Sequence, residues 1–109
     1  MSNLLKIKGG GYKPPREVVE IRIRIYAEQH YHKRLSALTI DQRQTVAWCL
    51  YNNFGFSRPE LAQLLSVSSA TIYRDISSIE FLVKRYQKRQ QEVDSIRDYI
   101  LYNAKYLPY

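Results

Sequence analysis

A single cysteine, Cys49, excludes an internal disulfide and points to a reducing, cytosolic compartment. No apolar run approaches the ~18 residues needed to span a membrane. The N-terminus lacks the apolar core of a signal peptide. The expected location is therefore the cytoplasm, or the host cytoplasm if a phage encodes the chain. Chemistry-bearing constellations are absent too. There is no glycine-rich phosphate loop, no nucleophile elbow and no cluster of carboxylates. His30 and His32 flank Tyr31, with Cys49 distant, and this is not the close pairing of ligands that zinc requires. The sequence thus predicts no cofactor, no metal, no small-molecule ligand and no catalysis.

What remains is a small basic chain. Its 109 residues suffice for one domain with a modest core, and a hydrophobic content of 45% separates it from disordered tails. The net charge of +7 and a pI near 9.6 favour an anionic partner, nucleic acid first and a membrane surface second. Charge is unevenly distributed. Residues 1–40 hold eight Lys/Arg against three Asp/Glu, residues 41–75 hold three of each, and residues 76–109 hold six against four. Any nonspecific attraction to phosphate must come mainly from the flanks. The ten tyrosines carry no functional signal by themselves.

Residues 1–13 read as a flexible basic arm. They contain Lys6, Lys8 and Lys13, and three consecutive glycines from Gly9 disfavour a regular element. Pro14 and Pro15 end the arm, and residues 14–109 form the predicted helical domain. Residues 16–34 are ambiguous. Val19, Ile21, Ile23 and Ile25 alternate with polar residues as a strand would, whereas Val18, Ile21 and Ile25 fit a helix face. The proline start and the long stretch without a turn favour a helix ending near Arg34.

From residue 39 the punctuation sharpens. Thr39 and Gln42 form a capping box, and Val46, Ala47, Leu50, Tyr51 and Phe54 follow at helical spacing up to a stop at Gly55. Ser57 and Glu60 form a second box. Ser68 caps a third helix, backed by Ile72, Ile76, Ile79 and Val83. No glycine or proline occurs between Pro59 and Pro108, so this helix can be long. Its apolar spacing lapses near Gln87–Gln91, which predicts a break, and resumes at Val93, Ile96 and Ile100 in a C-terminal helix over about 92–104.

Residues 58–77, RPELAQLLSVSSATIYRDIS, fit two short helices crossing at a tight turn. Ala62 permits close approach. Leu61, Leu65, Val67 and Ile72 supply the shared core, and Ser66 stands in the turn where many such motifs have glycine. A corner of an ordinary helical bundle would share this pattern, and some such units bind protein. The segment ELAQLLSVSSATIYRDI resembles the bacterial helix-turn-helix superfamily. VSSATIYRDI looks like the recognition helix of DeoR-type repressors. LTIDQRQTVAWCLYNNFGFSRPELAQLLSVSSATI is similar to region four of sigma factors and to the DNA-binding domain of the bacterial replication initiator. The initiator's Asp-His-Thr-Thr signature is absent, since Ser68-Ser69-Ala70-Thr71 stands there. The DeoR-type wing is not expected, because FLVKRYQKRQ after Glu80 has no turn residues. The resemblance covers residues 38–80.

The predicted fold is a small all-α domain with a helix-turn-helix over about 57–80 and no wing. What the resemblance implies is sequence-specific binding of duplex DNA, with the third helix in the major groove. With Ile72, Ile76 and Ile79 inward, Ser69, Ala70, Tyr73, Arg74 and Ser77 face outward. Arg74 suits bidentate pairing with guanine, and Tyr73 suits a thymine methyl or a phosphate. Ser68, Ser69 and Thr71 can donate to phosphates at the helix N-terminus. Asp75 would repel phosphate and is expected to pair with a basic residue of the fold. Lys6, Lys8 and Lys13 could track the backbone. The cluster Lys84, Arg85, Lys88 and Arg89 reads equally as a solvated face or a DNA contact. A transcriptional regulator is the leading role. A phage or mobile-element replication or packaging factor and a structural assembly protein are the alternatives. The stripe Val93, Ile96, Tyr99 and Ile100 either closes the core or pairs with a second copy, and a homodimer is favoured.

Overall fold

A computed structural model describes residues 14–102, and every described element is helical. Helix α1 spans Arg16–Tyr26 and widens into a π-helical turn over Ala27–Tyr31. A 3-10 turn, Leu35–Ala37, leads to α2, Ile40–Phe54. Helix α3 is Arg58–Leu65, α4 is Ser69–Arg85 and α5 is Gln87–Tyr102. Lys6, Lys8 and Lys13 lie outside the described residues, as do the last two residues of the predicted C-terminal helix.

The helix starts follow from local hydrogen bonds. Thr39 Oγ1 accepts from the Gln42 backbone at 3.2 Å, and the Gln42 side chain accepts from the Thr39 N–H at 3.0 Å. Ser57 and Glu60 repeat the box at 3.2 and 2.8 Å. Both boxes satisfy backbone donors that would otherwise lack partners. Gly55 ends α2 in the left-handed region, at φ 71°. Ser66 ends α3 the same way, at φ 58°, so serine here adopts the conformation that favours glycine.

Helix α2 lies at the centre, packed chiefly against α4 and α5. Leu50, Leu61, Leu65, Ile72, Ile79, Ile96 and Ile100 are fully buried. The ambiguous segment resolves as a helix, but its inner face is Val19, Ile23 and Tyr26 rather than Val18, Ile21 and Ile25. Ile21 is exposed, and the predicted end near Arg34 falls instead at Tyr31, where His32 turns left-handed at φ 58°. Buried Arg22 shares the inner face and donates to the carbonyl of Ile100, pinning α1 to the last turn of α5.

The predicted break after α4 also needs correction. It occupies one residue, Tyr86, and α5 begins at Gln87 rather than near 92. Tyr86 is extended. Its N–H donates to Leu82 at 2.8 Å, and its carbonyl accepts from Arg89 at 3.0 Å. One residue therefore closes one helix and opens the next. Gln87, Lys88 and Gln91 are solvated, Arg89 is bonded to α2, and glutamine, lysine and arginine are all good helix formers. A second correction concerns the α5 stripe. Val93, Ile96 and Ile100 are buried within this chain, against α1 and α2, so they are spent on the core and are not free for a second copy.

Candidate nucleic-acid interface

The sides of α4 separate cleanly. Ile72, Asp75, Ile76 and Ile79 are buried, while Ser69, Ala70, Tyr73, Arg74 and Ser77 are exposed along the opposite side. Asp75 turns inward because a cation waits there. Arg43 of α2 grips it through Nε at 2.6 Å and Nη2 at 3.1 Å, and Gln44 adds a contact at 3.5 Å. The bonded carboxylate raises the Arg43 pKa further, so the guanidinium stays charged. This fork fixes the rotation of α4 about its axis and keeps negative charge off the outer side.

At the start of α4, Ser68 Oγ accepts from the Thr71 N–H at 3.1 Å and lies 3.0 Å from Thr71 Oγ1. One hydroxyl proton is used between the two side chains, which leaves one to donate outward. Ser69 is exposed beside them, and Thr71 is half-buried. Arg74 makes no ion pair with any described residue, since Asp75, its neighbour in sequence, is taken by Arg43. Tyr73 is 58% exposed.

Sequence reasoning missed Arg58. This exposed side chain in the first turn of α3 lies over the Tyr73 ring at 5.0 Å and over the Tyr51 ring of α2 at 5.5 Å. No sequence motif marks it, because the rings come from two other helices.

The basic cluster after α4 divides. Arg89 reaches back to α2, bonding Thr45 at 3.0 Å and Asp41 at 3.0 Å, with Glu92 at 3.4 Å. It is a brace of the fold and not a free cation. Lys84 pairs with Glu80 at 3.7 Å, and Arg85 lies over Phe81. Lys88 is exposed without an ion pair among the described residues.

A short and a long helix joined at a left-handed Ser66, with α4 presenting a polar outer side and α2 bracing both, invite comparison with known domains. Residues 42–87 match the family described as an HTH domain. This segment folds as a helix-turn-helix. The match runs from the first turn of α2 to the first residue of α5, leaving α1 and nearly all of α5 outside it. No curated protein and no solved structure matches the chain.

Among the described residues, no group of three or more His, Cys, Asp or Glu is placed to hold a metal ion. His30 stacks on Tyr26 at 4.1 Å, and burial pushes the Cys49 thiol up to about 12. No described helix is long and apolar enough to cross a membrane.

Proposed function

We propose that this domain binds duplex DNA sequence-specifically, with the N-terminal half of α4 in the major groove. The observation that carries the reading is the outward side of α4, where Arg74 stands exposed and unneutralised in a helix-turn-helix. A guanidinium with no internal partner keeps its paired N–H edge for an acceptor pair, and the N7 and O6 of guanine offer one. Tyr73 would meet a thymine methyl or a phosphate. Ala70 allows close approach of the helix. Ser68, Ser69, Thr71 and Ser77 would donate to phosphates or base edges, helped at the N-terminus by the helix dipole. Lys6, Lys8 and Lys13 add sequence-independent attraction along the backbone. A protein of this kind acts by occupying its site, and regulation of transcription is the role we assign.

Selection of bound sequences from a random duplex pool tests the proposal. Enrichment of a short shared site supports it. A pool that stays random, with no retention at low salt, overturns it.

A further inference from the structure

Five cations among the described residues are paired with carboxylates. Arg16 pairs with Glu60, Arg43 with Asp75, Lys84 with Glu80, Arg89 with Asp41, and Arg97 with Asp94. Arg58 is an exception within the helix-turn-helix. It sits in the first turn of α3, where the positive end of the helix dipole disfavours a cation. The nearest acid in sequence, Glu60, is engaged elsewhere. Its carboxylate takes Arg16 at 3.3 Å and the Ser57 N–H at 2.8 Å, and the backbone bond holds its pKa below the usual carboxylate range. Folding alone gives little reason for an arginine at this position.

Aromatic rings hold it in place. Tyr51 of α2 is backed by Trp48, with ring centroids 6.2 Å apart, and Arg58 lies over both Tyr51 and Tyr73. The guanidinium carries five N–H donors, and no described carboxylate takes one of them. The side chain is thus ordered before any anion arrives, and its donors remain available. The second ring belongs to the outer side of α4, so the same contact fixes where Tyr73 stands.

We propose that Arg58 is a second DNA-binding residue, stacked on Tyr51 and Tyr73 so as to meet a backbone phosphate and to set the position of Tyr73 on the groove-facing side. The inference rests on the DNA-binding reading above and assigns that surface a component contributed by α3.

The test compares the wild type with Arg58→Ala, Arg58→Lys and Tyr51→Leu, using a duplex recovered by the selection and a scrambled duplex, over a range of salt. Melting of each protein confirms folding, which exposed Arg58 is not expected to affect. Arg58→Ala should bind about tenfold more weakly near 0.1 M salt, flatten the salt slope by about 1 and narrow the gap between the two duplexes. Arg58→Lys should keep the slope but narrow the gap, because it retains charge and loses the guanidinium's contact with the two rings. Tyr51→Leu should do the same more mildly. In the free protein, Tyr73 ring proton resonances should shift in Arg58→Ala. A wild type that binds both duplexes, with an Arg58→Ala variant matching it in slope and preference, overturns this inference and leaves the function standing. A wild type that binds neither duplex overturns both. Unmoved Tyr73 resonances overturn the positioning role.

Discussion

The helix-turn-helix surface and the α4–α5 junction both carry arginines, and by sequence the junction looks the more basic. The structure divides that cluster. At the junction Lys84 and Arg89 are bonded to carboxylates, and Arg89 also bonds Thr45, while Arg85 and Lys88 have no carboxylate partner among the described residues. On the helix-turn-helix surface Arg58 and Arg74 have no carboxylate partner among the described residues, while acids there are occupied by Arg16 and Arg43. A cation's availability is set by the acids that fold beside it, and not by how many cations are its neighbours in sequence. The junction uses Arg89 to join α5 to α2, and the motif leaves Arg58 and Arg74 without a carboxylate among the described residues.

The largest expected effect falls on the junction side. Ile96 and Ile100 are both fully buried under α1 and α2. Replacing both with aspartate should cost about 5 kcal/mol or more, comparable to the whole stability of a small domain. Circular dichroism should show an unfolded chain. A folded variant that merely sediments as a smaller species would return the stripe to a dimer interface.

The seal over that region can also be read through Cys49, whose thiol burial raises from 9.0 to about 12. Below about pH 9 the thiol is neutral in the folded and the unfolded chain alike. Between 9 and 12 the unfolded chain gives up the proton while the folded one retains it. Ionisation then favours unfolding, so stability should fall as pH rises through this window. Tyr26 and Tyr31, raised mainly by burial, act in the same direction from their ordinary value of 10.0. Thermal midpoints of the wild type and Cys49→Ala from pH 8 to 11 should diverge above 9, the variant falling less steeply. Parallel curves would mean that the thiol reaches solvent.

A matched pair of arginines sets the two surfaces side by side. Arg74→Ala should lose about 1–3 kcal/mol of binding to a specific site, with preference relaxed at one base position and melting unchanged. Arg89→Ala should lose about 1 kcal/mol of folding stability with little change in DNA affinity. Titrations and melts of both proteins check this, and an exchange of the two outcomes would break the comparison.

The smallest effect concerns the connectors. Ser66 holds a left-handed conformation that costs a non-glycine residue about 1 kcal/mol, partly offset by the greater freedom of glycine when unfolded. Ser66→Gly should therefore stabilise by a few tenths of a kcal/mol, roughly. Tyr86 is extended and needs no such relief, so Tyr86→Gly should destabilise. Denaturant melts of both variants measure the signs.

What the sequence made legible was mostly local. The boxes at Thr39 and Ser57, the cap at Ser68 and the stop at Gly55 involve groups within a few residues, and the hydrophobic period of α4 identified its inner side correctly. Asp75 could be read as needing a basic partner, although only the fold names Arg43. The errors arose where tertiary packing decides. Alternating Val19, Ile21, Ile23 and Ile25 offer two helix faces of similar hydrophobicity, and contact with α5 selects one. The polar start of α5 reads as a gap because polar residues erase the apolar period whether a segment is helical or irregular. Arg58 was invisible because its significance depends on two rings supplied by other helices and on an acid consumed by Arg16.

The joint at Tyr86 has a mechanical consequence. One extended residue spans about 3.4 Å, less than the 5.4 Å pitch of a helix. Helix α4 therefore cannot advance by a turn along its own axis without drawing α5 after it, and α5 is anchored near its start by Arg89 to α2 and near its end by Arg22 of α1. The linkage has almost no slack. A partner pressed against α4 meets a strut, so any bending needed for close fit falls on the partner or on individual side chains.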